Sequence, residues 1–149
     1  MDLVKEAKET ALYILIGLVA AFVINTGLGH ALGAEKPIMA VVSDSMEPTF
    51  YKGDLVVVKG VDTEDIKVGD IIVFYNPYRN IPVVHRVIKI EKRGSVTYFY
   101  TKGDNNRTNP LPDQDSGIAP PISEKLVKGR VVKVIPKLGW FRVLVTELI

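Results

Sequence analysis

From Thr10 to Ala34 the chain carries no Asp, Glu, Lys or Arg, and residues 11–28 are mostly Leu, Ile, Val, Ala and Phe. Wound as a helix, 18 to 20 residues rise about 27 to 30 Å, one hydrocarbon thickness. A helix that is apolar on every side needs either lipid or a large protein around it. With this segment subtracted, about 115 residues remain, too few to enclose it. The segment therefore reads as a membrane span over 11–30 and not as a core helix. It also exceeds an export-signal core of about 7 to 15 residues, and its flank mixes Glu6 and Glu9 with Lys5 and Lys8. An uncleaved anchor fits better, even though small residues gather at 29–34.

Lys5, Lys8 and the amino terminus precede the span, and only Lys36 follows it closely. The positive-inside bias then puts residues 1–10 in the cytoplasm and the rest of the chain on the external face of a cell membrane. His30 lies near the outer end of the span with no evident partner, which suits an interfacial side chain better than a catalytic one.

Past the anchor the hydrophobic period changes. Runs rich in Val, Ile and aromatics recur at 38–42, 54–59, 70–75, 82–91, 96–101 and 129–134, separated by Gly, Pro, Asn and Asp. This pattern predicts a mainly β fold, with one antiparallel β domain over 31–137 behind a single N-terminal transmembrane helix. Gly53-Asp54 and Gly69-Asp70 each open an apolar run and read as turn chemistry without a catalytic role. Residues 138–149 are apolar but too short for a second span. With Trp140 and Phe141 beside Arg142, this segment either lies at the membrane interface or packs on the domain.

Several function classes drop out on composition. Nineteen basic against 17 acidic residues give a net charge of +2, too balanced for a nucleic-acid partner. The absence of cysteine removes thiol catalysis and cysteine-held metals, and two distant histidines make a histidine-based metal site improbable. No metal and no cofactor is expected.

What remains is chemistry on oxygen and imidazole. Ser43-Asp44-Ser45-Met46-Glu47-Pro48-Thr49 leaves the end of the run at 38–42 as a short proline-bounded turn, which can hold a serine hydroxyl rigidly and leave it accessible. His85 stands inside a strand. Alternation sets Val83, His85 and Val87 on one face and Val84, Arg86 and Ile88 on the other, so Arg86 reads as a support residue paired with a carboxylate on its own side. A 19-residue stretch from Gly103 to Pro121 follows, with no regular pattern, four prolines and three acids: Asp104, Asp113 and Asp115. Serine, histidine and aspartate in separate elements supply a nucleophile, a base and an orienting group. Three aspartates compete for the last role. Asp104, between Gly103 and two asparagines, suits local turn capping, Asp113 follows a stretch stiffened by Pro110 and Pro112, and Asp115 beside Ser116-Gly117 suits a solvated turn.

The boxes Ser-Asp-Ser-Met-Glu-Pro-Thr, His-Arg-Val and Gly-Asp-Asn-Asn resemble those of type I signal peptidases of peptidase family S26. The likeness is to the archaeal and endoplasmic-reticulum branch, which uses histidine where bacterial relatives use lysine. It runs from about Val41 to Val132. It implies a membrane-anchored serine endopeptidase that cleaves N-terminal signal peptides from exported preproteins, with partners among those signal peptides, the lipid bilayer and the export machinery. The roles it implies are Ser45 as nucleophile, His85 as general base and Asp113, or else Asp104, as the orienting carboxylate. The backbone N–H of Ser45 and the hydroxyl of Ser43 would form the oxyanion hole, and Met46 would line a shallow apolar pocket for small substrate residues. Two rival readings are a related regulatory protease that cleaves itself, which would use a lysine base, and an anchored non-catalytic β module that binds peptides at a sheet edge.

Overall fold

The computed structural model describes residues 3–147. Helix α1 (Leu3–Leu32) is followed by strands β1 (Ile38–Ala40), β2 (Leu55–Lys59), β3 (Ile71–Asn76), β4 (Ile81–Arg93), β5 (Val96–Lys102), β6 (Ile122–Ser123) and β7 (Val127–Ile135), and then by helix α2 (Trp140–Glu147). None of the residues of α1 is buried in protein, and the helix is long and apolar enough to cross a membrane. It runs beyond the expected span at both ends, because Lys5, Glu6, Lys8 and Glu9 are good helix formers outside the apolar run. It stops at Gly33, whose φ of +60° suits a glycine that reverses the chain at a helix end. There the Leu32 carbonyl accepts a hydrogen bond from Gly60 N–H at 2.8 Å, so the end of the helix is fastened to the end of β2.

The described strands form one antiparallel sheet in the order β1-β2-β7-β3-β4-β5-β6. This is the mainly β domain with a single N-terminal apolar helix that the hydrophobic periodicity predicts. Three details differ from the sequence reading. Strand β4 continues to Arg93, because β5 pairs with it to its end. The two-residue β6 has too little pattern to be read and exists by pairing Ile122 and Ser123 with Phe99 and Tyr98 of β5. The C-terminal segment, expected at the interface or on the domain, forms α2. Its Val143 is buried, whereas Phe141 and Leu144 are exposed. Residues 148–149 of that segment lie outside the described residues, as do residues 1–2 of the expected cytoplasmic stretch.

Two apolar clusters fix the sheet. One gathers Val41, Met46, Phe50, Val56, Val58 and Val73 beneath the turn that follows β1. The other joins Ile72, Phe74, Val87, Phe99, Ala119 and Ile122 behind β3, β4 and β5. Fully burying such side chains stabilises a fold by about 1.5–3 kcal/mol each, so both flanks of the loop at 43–49 are firmly held. Asp54 works as a turn residue, accepting from Tyr51 N–H at 2.9 Å and from Lys137 N–H at 3.0 Å. Asp70 accepts from Lys67 N–H at 2.9 Å and from Arg130 at 3.1 Å.

Candidate active site

Strand β1 runs out at Ala40, and residues 43–50 turn tightly. Glu47 N–H donates to the Asp44 carbonyl at 3.1 Å, and Thr49 N–H donates to the Met46 carbonyl at 2.9 Å. This turn drives Met46 into the core, where it is 1 % exposed, while Ser45 stays half-buried at the surface. The expectation that Met46 lines an open pocket wall is thereby corrected. Its side chain packs with Val41, Phe50 and Val56 under the serine.

The stretch 103–109 clamps the serine turn from outside. Asn105 N–H donates to the Ser45 carbonyl at 2.9 Å, and the Asn105 side-chain amide donates to the Asp44 carbonyl at 2.9 Å. Gly103 is required here by proximity, because a Cβ at that position would lie 2.6 Å from the Ser45 carbonyl oxygen. The Gly-Asp-Asn-Asn box is thus the mould against which the Ser45 backbone is set.

Beneath the turn, a line of polar atoms leads into the domain. His85 Nε2 lies 3.1 Å from Ser45 Oγ, and His85 Nδ1 lies 2.7 Å from Asp113 Oδ2. His85 is 4 % exposed and Asp113 0 %, so this line is shielded from solvent up to the serine hydroxyl. An ionised carboxylate can only accept, so Nδ1 must carry the ring proton and Nε2 is left as the acceptor for the Ser45 O–H. Ser43 Oγ is 3.2 Å from Ser45 Oγ, on the exposed side of the turn. The Ser45 N–H has no hydrogen-bond partner among the described residues.

The register of β4 and β5 places the supports. Val87 pairs with Thr101, and a bulge between Val87 and Lys89 follows, so Thr101 sits diagonally from His85 on the same face. Its hydroxyl donates to Asp113 Oδ2 at 2.7 Å. Asp113 in turn closes its own loop: its N–H donates to the Thr101 carbonyl at 2.9 Å, and its carbonyl accepts from Ile118 and Ala119 N–H at 2.9 and 3.1 Å. The long irregular stretch is therefore pinned where it carries the carboxylate.

Asp104 lies elsewhere. Arg86, on the opposite face of β4, grips it with Nε at 2.8 Å from Oδ1 and Nη2 at 2.6 Å from Oδ2, and donates Nη1 to the Gly69 carbonyl at 2.6 Å. The Thr49 hydroxyl also donates to Asp104. Burial acts to raise the Asp104 pKa, but the hydrogen bonds from Arg86 and Thr49 outweigh it and hold the carboxyl below its ordinary value. The hydrogen bond to Asp104 raises Arg86 in the same way. Asp115 is exposed, and its N–H caps the Pro112 carbonyl at 3.1 Å.

Of the residues singled out in the sequence, Ser43, Ser45, His85 and Asp113 come together, Asp104 stands one strand face away and Asp115 faces solvent. Thr49, named only as the end of its box, and Thr101 carry no assigned role in the sequence. The only signal for Thr101 is its place on the buried face of β5 with Thr97 and Phe99. No group of acids and histidines able to hold a metal occurs among the described residues.

Comparison with known proteins gives a consistent picture. Residues 7–91 match the family model described as "Signal peptidase, peptidase S26", a stretch that contains Ser45 and His85 and ends before Asp104, Asp113 and Asp115. The chain is 38% identical over 133 residues to the signal peptidase complex catalytic subunit SEC11 of Scheffersomyces stipitis, covering 86% of this chain and 76% of that protein. It is 37% identical over 133 residues to the human signal peptidase complex catalytic subunit SEC11C, covering 86% and 67%. It is 34% identical over 148 residues to SEC11 of Colletotrichum graminicola, covering 96% and 83%.

Proposed function

Because the chain belongs to the peptidase S26 family, it is a serine endopeptidase of the signal-peptidase class, and we propose that its reaction runs through Ser45, His85 and Asp113. The observation that carries this reading is the continuous hydrogen-bonded line from Ser45 Oγ through both ring nitrogens of His85 to the buried Asp113 carboxylate. His85 Nε2 takes the serine proton as Oγ attacks the scissile carbonyl, and Asp113 keeps the ring in the tautomer that can do so. The imidazolium then gives its proton to the leaving amine, and water brought in by the same base releases the acyl group. The Ser45 N–H and the Ser43 hydroxyl are proposed to receive the oxyanion. One such donor commonly contributes about 3 kcal/mol to the transition state.

The substrate is a signal peptide with small residues at the first and third positions before the cut. A narrow pocket beside β1, lined by Met39, Val58, Val73, Tyr75 and Pro82 together with Glu35, Lys36 and Lys128, is proposed to take small side chains of a strand-like peptide. Helix α1 is the proposed anchor, with the N-terminus cytoplasmic and the β domain on the external face. Signal peptides are themselves embedded in lipid, so confinement to one plane raises the effective concentration of the site. The relatives are named as catalytic subunits of a complex, and a membrane assembly that includes export machinery is the setting proposed for this chain.

The test is cleavage of a preprotein by the detergent-solubilised full chain. Ser45→Ala abolishes cleavage while the unfolding temperature stays at the wild-type value, and Ser43→Ala keeps a reduced rate. Wild-type turnover by Ser45→Ala overturns the assignment.

A further inference from the structure

The carboxylate of Asp113 is fully buried, yet it is sparsely solvated by the protein. Two donors reach it among the described residues, His85 Nδ1–H and the Thr101 hydroxyl, and both bind Oδ2 at 2.7 Å. Oδ1 is buried without a partner. A carboxylate offers about four lone-pair sites on two oxygens, so two donors converging on one oxygen decide which oxygen faces the ring. The Thr101 hydroxyl is thus one of the two contacts that orient this carboxylate toward His85.

Its position is fixed on every side. Thr101 is itself fully buried, so no solvent competes for the hydroxyl. Its N–H donates to Gln114 Oε1 at 3.1 Å, its carbonyl accepts from Asp113 N–H at 2.9 Å, and Gln114 is held by donating to the Pro120 carbonyl at 3.2 Å. Backbone and side chain of one residue therefore address the backbone and side chain of Asp113. The other charged groups nearby are engaged away from it. Arg86 and Asp104 pair on the opposite face of β4, Lys102 donates to Asn106, Glu124 accepts from Thr97 N–H, and Asp115 is exposed. Among the described residues, His85 is the one titratable side chain hydrogen-bonded to Asp113.

We propose that Thr101 is a positioning residue of this site: its hydroxyl holds Asp113 Oδ2 turned toward His85 Nδ1. The inference rests on the reading of Ser45, His85 and Asp113 given above. Thr101→Val removes the donor at nearly constant volume, and Thr101→Ser keeps it. In the full chain acting on a preprotein, Thr101→Val lowers kcat by about ten- to a hundredfold, the range expected for a hydrogen bond to a charged group, with KM held within about twofold. Thr101→Ser stays within about threefold of wild type, and adding Thr101→Val to Asp113→Asn costs nothing further. Wild-type kcat in Thr101→Val, with Asp113→Asn impaired, overturns the inference alone. Wild-type turnover by Asp113→Asn instead overturns the reading on which it rests. If the valine variant does not fold, Thr101→Ser and Thr101→Cys carry the comparison, since the thiol is the weaker donor. Serine near wild type with cysteine reduced supports the role, and equal rates exclude it.

Discussion

Two carboxylates approach β4 from its two faces, and their surroundings are opposite. Asp113 meets His85, has no solvent exposure, and leaves one oxygen without a partner among the described residues. Asp104 meets Arg86, keeps a side chain 16% exposed, and has both oxygens engaged. The first sits beside a ring that can gain or lose a proton, and the second beside a guanidinium that is always charged. A permanent cation neutralises its partner and makes a stable clasp. A titratable ring leaves the carboxylate's charge to do work only when the ring becomes charged. In the proposed mechanism the same side-chain type thus supports structure on one face of a strand and chemistry on the other.

Substituting the two aspartates separates these roles most sharply. Asp113→Asn is expected to lower kcat by about 10³- to 10⁴-fold, because the amide can donate to Nδ1 and stabilise the wrong tautomer, while changing stability little. Asp104→Asn is expected to cost about 1–3 kcal/mol, because Arg86 is left without its counter-charge, together with a smaller loss of rate as the Asn105 clamp on Ser45 loosens. Preprotein cleavage and urea unfolding on both variants measure the two axes. A stable but inactive Asp104→Asn beside a fully active Asp113→Asn would exchange the roles.

Acid sharpens the same contrast. The folded-state pKa of Asp104 is depressed, so the unfolded chain binds its proton first as pH falls. The stability it contributes is fully present above the unfolded value of about 3.9, and is lost as pH drops through the lower folded value. Wild-type Tm should therefore fall more steeply below about pH 4 than that of Asp104→Asn, in which this group no longer titrates. Arg86, whose pKa the same pair raises, stays protonated throughout that range, so the change there comes from Asp104. Arg86→Lys keeps the charge but loses the two-pronged grip and the Gly69 contact. For a pair this open to solvent, about 1 kcal/mol in urea unfolding is the expected cost, and no change at all would mean that charge alone holds Asp104.

The legibility of these features follows the range of the interactions that make them. The long apolar helix and six strands were readable because hydrophobic period is local, and alternation alone put His85 and Arg86 on opposite faces of β4. The partner of Arg86 was not readable, since Asp104 reaches it only after β4 and β5 have paired. Strand β6 is defined by its neighbour and not by its own two residues. The placement of β7 between β2 and β3 joins segments distant in the chain, and periodicity carries no information about that order. Gly103 looked like an ordinary turn glycine, although what it supplies is room for the Ser45 carbonyl. Thr101 was hidden for a related reason, because a threonine on the buried face of a strand looks the same whether its hydroxyl meets a carbonyl or a buried carboxylate.

The third aspartate provides the weakest and most discriminating control. Asp115 lies two residues beyond Asp113 in the same loop, so any general effect of removing negative charge there would act on both. Its side chain is exposed, and what it adds locally is its backbone N–H on the Pro112 carbonyl, which asparagine keeps. Asp115→Asn is therefore expected to leave cleavage within about twofold and stability within about 0.5 kcal/mol of wild type. The measurement is the same preprotein assay and urea titration used for Asp113→Asn. A loss at Asp115 comparable to that at Asp113 would mean that the charge of the loop as a whole, and not the single buried carboxylate under His85, sets the rate.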